Sequence, residues 1–146
     1  MRFYRSILAG ILAVLISLTA INYSWAATKA SSYTPEQLER IQRYLPSVQS
    51  VRNQFPELQA LIQKQKWTDV RDLIHGPFGT LRQDLVFLIR NLSPSDKGPA
   101  IETFKTLFVH LVGIDKAAED ANYRKALRQS AEAIVDLDTF LSLIPQ

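Results

Sequence analysis

Two histidines, His75 and His110, are the only imidazoles in the chain, and it contains no cysteine. They are therefore the natural starting point for any metal or haem chemistry. A protein metal site needs three or four ligands with supporting partners. Neither histidine belongs to an H-x-x-H or H-E-x-x-H pairing, and they lie on different segments. Absence of cysteine excludes thiolate metal sites, a cysteine nucleophile and c-type haem attachment. A b-type haem needs His or Met ligands, and Met1 is the single methionine. The one haem or metal arrangement left open is an exported helical bundle ligated through His75 and His110. His110 sits beside an apolar stripe, where a half-buried, hydrogen-bonded side chain is the plainer reading and a metal ligand the weaker one.

The rest of the catalytic inventory is thin. The five glycines are scattered, and "GPFG" (residues 76–79) has neither the spacing nor the basic partner of a phosphate loop. No G-x-S-x-G elbow occurs. Asp115, Glu119 and Asp120 form a small acidic group near a helix end, which reads as caps and solvated charge. These residues give no catalytic site and no firm cofactor or metal set; the chain is expected to be non-enzymatic.

The elements that would carry these residues follow from pattern. Arg2 and Arg5 precede an apolar run from Ile7 to Ile21, and small residues close it. Positive head, short apolar stretch and small-residue exit make a secretory signal of residues 1–26, cleaved between Ala26 and Ala27, with an uncleaved anchor as the alternative. The run is shorter than the roughly 20 residues of a membrane-spanning helix. Its arginines are not adjacent, which favours general secretion over the twin-arginine route. Of 17 basic residues, Arg2 and Arg5 leave with the signal, so 15 face 14 acidic ones. A nearly neutral domain of about 120 residues has room for one core, and gives no electrostatic case for nucleic acid.

Residues 27–33 are expected to be flexible, with a helical domain spanning 34–146. Thr34-Pro35-Glu36-Gln37 is a helix start with a capping box and proline at the first position. Apolar residues then fall at Leu38, Ile41, Leu45, Val48, Val51, Phe55, Leu58 and Ile62. Steps of three and four define the seam of an amphipathic helix. Pro46 and Pro56 interrupt it without breaking phase, which predicts one long kinked helix or two coaxial pieces. Thr68 is the expected cap of a second region, which "HGPFG" interrupts before Leu81, Leu85, Leu88 and Leu92. "NLSPSDKGP" reads as a loop. A third helix carries Ile101, Phe104, Leu107, Phe108, Leu111 and Ile114. A fourth carries Tyr123, Ala126, Leu127, Ser130, Ala133, Ile134, Leu137, Phe140 and Leu141. Nothing alternates with period two over a useful length. The expected fold is all-α, an antiparallel up-down four-helix bundle with a long kinked first helix.

The stretch "LIQKQKWTDVRDLIHGPFGTLRQDLVFLIRNL" (residues 61–92) resembles the central segment of the PsbQ family, extrinsic lumenal subunits of photosystem II. The motif positions are Trp67, Val70, Leu81, Arg82, Asp84 and Leu85. "YTPEQLERIQRY", "HLVGIDKAAEDANYRKAL" and "DLDTFLSLIP" resemble the cyanobacterial branch, so the likeness covers nearly all of the mature chain. It implies a four-helix bundle on the lumenal side of the thylakoid membrane. There it would help the oxygen-evolving centre hold calcium and chloride, or aid assembly, without doing chemistry. Its partners would be photosystem II lumenal proteins, including other extrinsic subunits and the core antenna. Many cyanobacterial members carry a lipid-modified cysteine; this chain has none, so no lipid anchor is expected. From the residues alone, Trp67 is a packing anchor between the first and second helices. Arg82 and Asp84, two apart, do not face each other on a helix; they pair elsewhere, meet a partner, or are separate surface charges.

Overall fold

A computed structural model describes residues 32–145. The expected signal, its Ala26–Ala27 junction and residues 27–31 lie outside the described residues. Six α-helices and no strand make up the described chain. The first, α1, spans Pro35–Asn53. Its capping box forms as the sequence dictates: Thr34 Oγ1 accepts from the Gln37 N–H at 3.2 Å, and Gln37 Oε1 from the Thr34 N–H at 2.9 Å. Tyr33, grouped with the flexible 27–33 segment on sequence, is instead buried, and its hydroxyl donates to Asp96.

Pro46 lies inside α1 without ending it. Its ring and Gln42, whose carbonyl loses its helical donor, are both exposed, so water can serve that carbonyl. Pro56 acts differently. It cannot donate to the Arg52 carbonyl, and the chain closes α1 at Gln54, whose N–H bonds to Val51 at 3.0 Å. Helix resumes as α2, Phe55–Gln63, with Pro56 in its first turn. The expected kinked helix is thus two helices meeting at Gln54. Ile41, Leu45, Val48 and Val51 on one, and Phe55, Leu58 and Ile62 on the other, are all buried.

Gln65 turns the chain with φ 53°. Helix α3 runs Trp67–His75 and α4 runs Leu81–Asn91. Thr68 is not the cap: Lys66 precedes the helix, with no side-chain capping bond. Lys66 pairs with Asp69 at 3.5 Å, a charge in the first turn that suits the helix dipole. Between α3 and α4, Phe78 is buried with its ring 5.3 Å from that of Phe55. The link folds so tightly that a Cβ on Gly76 would lie 2.7 Å from the Asp72 carbonyl oxygen.

"NLSPSDKGP" is not a loop. Helix α5, Pro94–Glu119, begins inside it and runs through Pro99. Pro94 is preset for the first helical turn, Asp96 favours the dipole there, and the Asp96 and Lys97 N–H groups reach the Ser93 carbonyl at 3.0 and 3.1 Å. Ala121, with φ 50°, turns the chain into α6, Tyr123–Leu143, where the Asn122 side chain caps the Lys125 N–H.

Packing assembles these helices around one core. Helix α1 lies against α4, α2 against α6 and α3, α3 against α5, and α5 against both α4 and α6. The α5–α6 contact is the most extensive; Ala117, Ala118, Ala126, Ser130 and Ala133 are buried on these two helices, and small side chains permit close approach. Ile101 and Tyr123, expected on the inner stripes, are 38% and 37% exposed. Ala100 takes the buried position beside Ile101.

Candidate functional site

His75 and His110 engage different carboxylates. His75 closes α3, is 63% exposed, and places Nε2 2.9 Å from Asp115 Oδ1 on α5. The same Asp115 oxygen accepts from Arg71 Nε at 3.1 Å. Burial alone pushes the Asp115 carboxyl up, but hydrogen bonds from Arg71 and His75, and their charges, outweigh it and hold it below the ordinary value. His110, on α5, is 23% exposed; its Nδ1 lies 2.7 Å from Asp136 Oδ2 on α6, and its Nε2 3.4 Å from Glu132. Among the described residues, no group of three or more His, Asp or Glu side chains is placed to hold a metal ion. The half-buried, hydrogen-bonded setting is the one the apolar stripe implied for His110.

The acidic group near the end of α5 divides. Glu119 and Asp120 pair with Lys116 at 3.1 and 3.3 Å. Asp115 instead ties α5 to α3. Sequence spacing gave no sign of this, because Arg71 and Asp115 are 44 residues apart.

The motif positions resolve into core and surface. Val70, Leu81 and Leu85 are fully buried, and Trp67 is half-buried at the start of α3, against the core. Arg82 and Asp84 diverge, as their spacing requires. Asp84 accepts from Ser47 Oγ on α1 at 2.7 Å. Arg82 lies over α5, its guanidinium 4.0 Å from the Phe108 ring centroid and 5.4 Å from that of Phe104.

Two surface grooves flank α4. Between α1 and α4, Arg40, Arg43, Tyr44, Phe87, Arg90 and Asn91 line about 370 Å³. There Tyr44 stacks on Phe87 at 4.6 Å, and Arg90 sits 5.9 Å from the Phe87 ring. Between α4 and α5, Arg82, Phe104, Lys105, Phe108, Val109 and Val112 line about 500 Å³. Val109 and Val112 are 66% and 64% exposed. Sequence reading missed both grooves, since each is made by residues far apart in the chain. Phe104 and Phe108 were legible, but as core.

Neither groove gathers the nucleophile, base and oxyanion donors of a catalytic site. Both combine aromatic rings with cations, and aromatic residues and Arg are enriched at protein interfaces. No helix among the described residues is long and apolar enough to cross a membrane.

Comparison with known proteins identifies the family. The sequence model of the PsbQ family, described as oxygen evolving enhancer protein 3, matches residues 10–145. The chain is also 36% identical over 143 residues to CyanoQ of Synechocystis sp., covering 97% of this chain and 96% of that protein. With a match of that extent, the chain belongs to the PsbQ family, in its cyanobacterial branch.

Proposed function

We propose that this protein is a non-enzymatic extrinsic subunit of photosystem II. It sits on the lumenal side, stabilises the oxygen-evolving centre and its retention of calcium and chloride, and does so as a peripheral protein of the thylakoid lumen. What carries the reading is the family match over nearly the whole chain. Supporting it are surface grooves built of rings and cations in place of a reaction centre.

The fold suits that role as an up-down bundle of four arms: α1 with α2, α3 with α4, α5, and α6. Residues 1–26 serve as the export signal, with Ala27 the first residue of the working protein. Without a cysteine to carry lipid, the mature chain is held by protein contacts. Its 15 basic and 14 acidic side chains cannot supply a global field, so docking depends on local complementarity.

Pull-down of a tagged copy from thylakoids tests this. Photosystem II lumenal and core-antenna proteins should co-purify, and the intact mass should lack residues 1–26. Failure to recover photosystem II would refute the assignment. A bound metal or a Soret band in the native protein would favour a cofactor role for His75 and His110 instead.

A further inference from the structure

The groove between α4 and α5 has an unusual composition for a surface. Val109 and Val112 expose most of their area to solvent, and Phe104 and Phe108 form its floor with ring centroids 4.8 Å apart. Burying apolar area of this kind is the main gain available on association. The charged residues lining the groove are both cations, Arg82 and Lys105. Lys105 is neutralised by Glu102 at 2.8 Å. Arg82 has no carboxylate within ion-pair distance among the described residues, and rests with its guanidinium over the two rings.

Cation–π attraction holds the guanidinium over the rings and leaves N–H donors on its edge for a partner. It also fixes the side chain before any partner arrives, which lowers the ordering cost of binding. A carboxylate is the planar acceptor that such an edge fits with two parallel bonds.

We propose that this groove docks a segment of a partner protein that lays an apolar side chain over Val109 and Val112 and sets a carboxylate on Arg82. The chain's own N-terminal sequence offers no side-chain carboxylate for Arg82, since residues 1–31 contain no Asp or Glu. A second copy docking through the same groove would bring the unpaired Arg82 of each copy into one interface with no carboxylate of the groove lining to meet it, a like-charge contact that costs affinity. The proposal rests on the photosystem II reading, and makes this groove a point of attachment within it.

Rebinding of the purified mature domain to salt-washed photosystem II particles provides the test, with folding checked by circular dichroism. Arg82→Gln and the double variant Val109→Ser/Val112→Ser should each weaken binding by about tenfold or more. Only Arg82→Gln should also flatten the dependence of binding on salt, because it alone removes the charge contact. Val135→Ser, at a position on α6 that is 62% exposed, should bind as the wild type does. If the wild type binds and both groove variants bind equally well, the groove is not the docking surface, although the photosystem II reading stands. If the wild type does not bind at all, both fall. Sedimentation showing a wild-type dimer that these substitutions dissociate would make a second copy the occupant and overturn the proposal.

Discussion

The His110 imidazole and the Asp136 carboxylate meet across the α5–α6 interface, Nδ1 to Oδ2, at 2.7 Å, each about four-fifths buried. A bond to a charged group in such a setting is worth more than a surface contact, and removing one partner leaves the other desolvated and unmatched. His110→Ala should therefore destabilise the domain by about 1–3 kcal/mol. His75→Ala, at an exposed position, should cost about 1 kcal/mol or less. Urea unfolding of the two variants checks the difference; equal losses would contradict the structural role assigned to His110.

Core positions make a sharper demand. Leu85 on α4 and Leu111 on α5 are 0% and 4% exposed. Either Leu→Ala change should remove about 2–5 kcal/mol through lost burial and the cavity left behind. Val135→Ala, on the outside of α6, is the control. A shift in midpoint no larger than that control would refute the core assignment.

These core residues were legible because helical periodicity records which face is buried. The seam from Ile41 to Ile62 was read correctly through two prolines, since the phase of side chains survives a local break in hydrogen bonding. What the prolines themselves do was not legible. Pro46 is tolerated at an exposed stretch, where water can serve the Gln42 carbonyl that it leaves without a donor, while Pro56 ends one helix and starts another. Likewise Pro94 and Pro99 looked like loop residues, although a proline at a helix start is favourable. Surface relationships were the least readable. Arg82 on Phe108, Asp115 under Arg71 and His75, and Tyr33 on Asp96 each join residues remote in sequence, and no local pattern encodes them.

Ser130 offers a gain of stability. Its Oγ is buried on α6 with no hydrogen-bond partner among the described residues. Replacing a buried, unmatched hydroxyl by a methyl hydrogen removes a desolvation cost and improves helix propensity. Ser130→Ala should stabilise the domain by about 1 kcal/mol, seen as a higher thermal midpoint. A lower midpoint would mean that the hydroxyl has a partner, such as a bound water.

Asp115 predicts a pH dependence. Its carboxyl titrates below the ordinary value when folded, so the folded state favours its charged form. That stabilisation is present at neutral pH and disappears as pH falls from about 4 through the folded value. Solvent screening keeps it to about 0–1 kcal/mol. Asp115→Asn should thus be slightly less stable than wild type at neutral pH, and the gap should narrow as the pH falls below about 4. Unfolding midpoints across that range provide the check, and a gap that widens on acidification would contradict the pairing with Arg71 and His75.

Function gives the last prediction. If, as proposed, local contacts alone hold the domain to photosystem II, it should come off when those contacts are screened. Exposed charges lose their reach beyond about 8 Å at physiological ionic strength and about 3 Å at molar salt. Washing membranes with about 1 M salt should release the protein and lower oxygen evolution, most visibly when calcium or chloride is scarce. Adding back the recombinant mature domain should restore part of that activity. The double variant His75→Ala/His110→Ala should restore it equally well, provided circular dichroism shows it folded, because each imidazole serves a carboxylate inside the domain. Loss of restoration by a folded double variant would move the balance to a metal role for these histidines. A wild-type domain that neither rebinds nor restores activity would remove the photosystem II assignment itself.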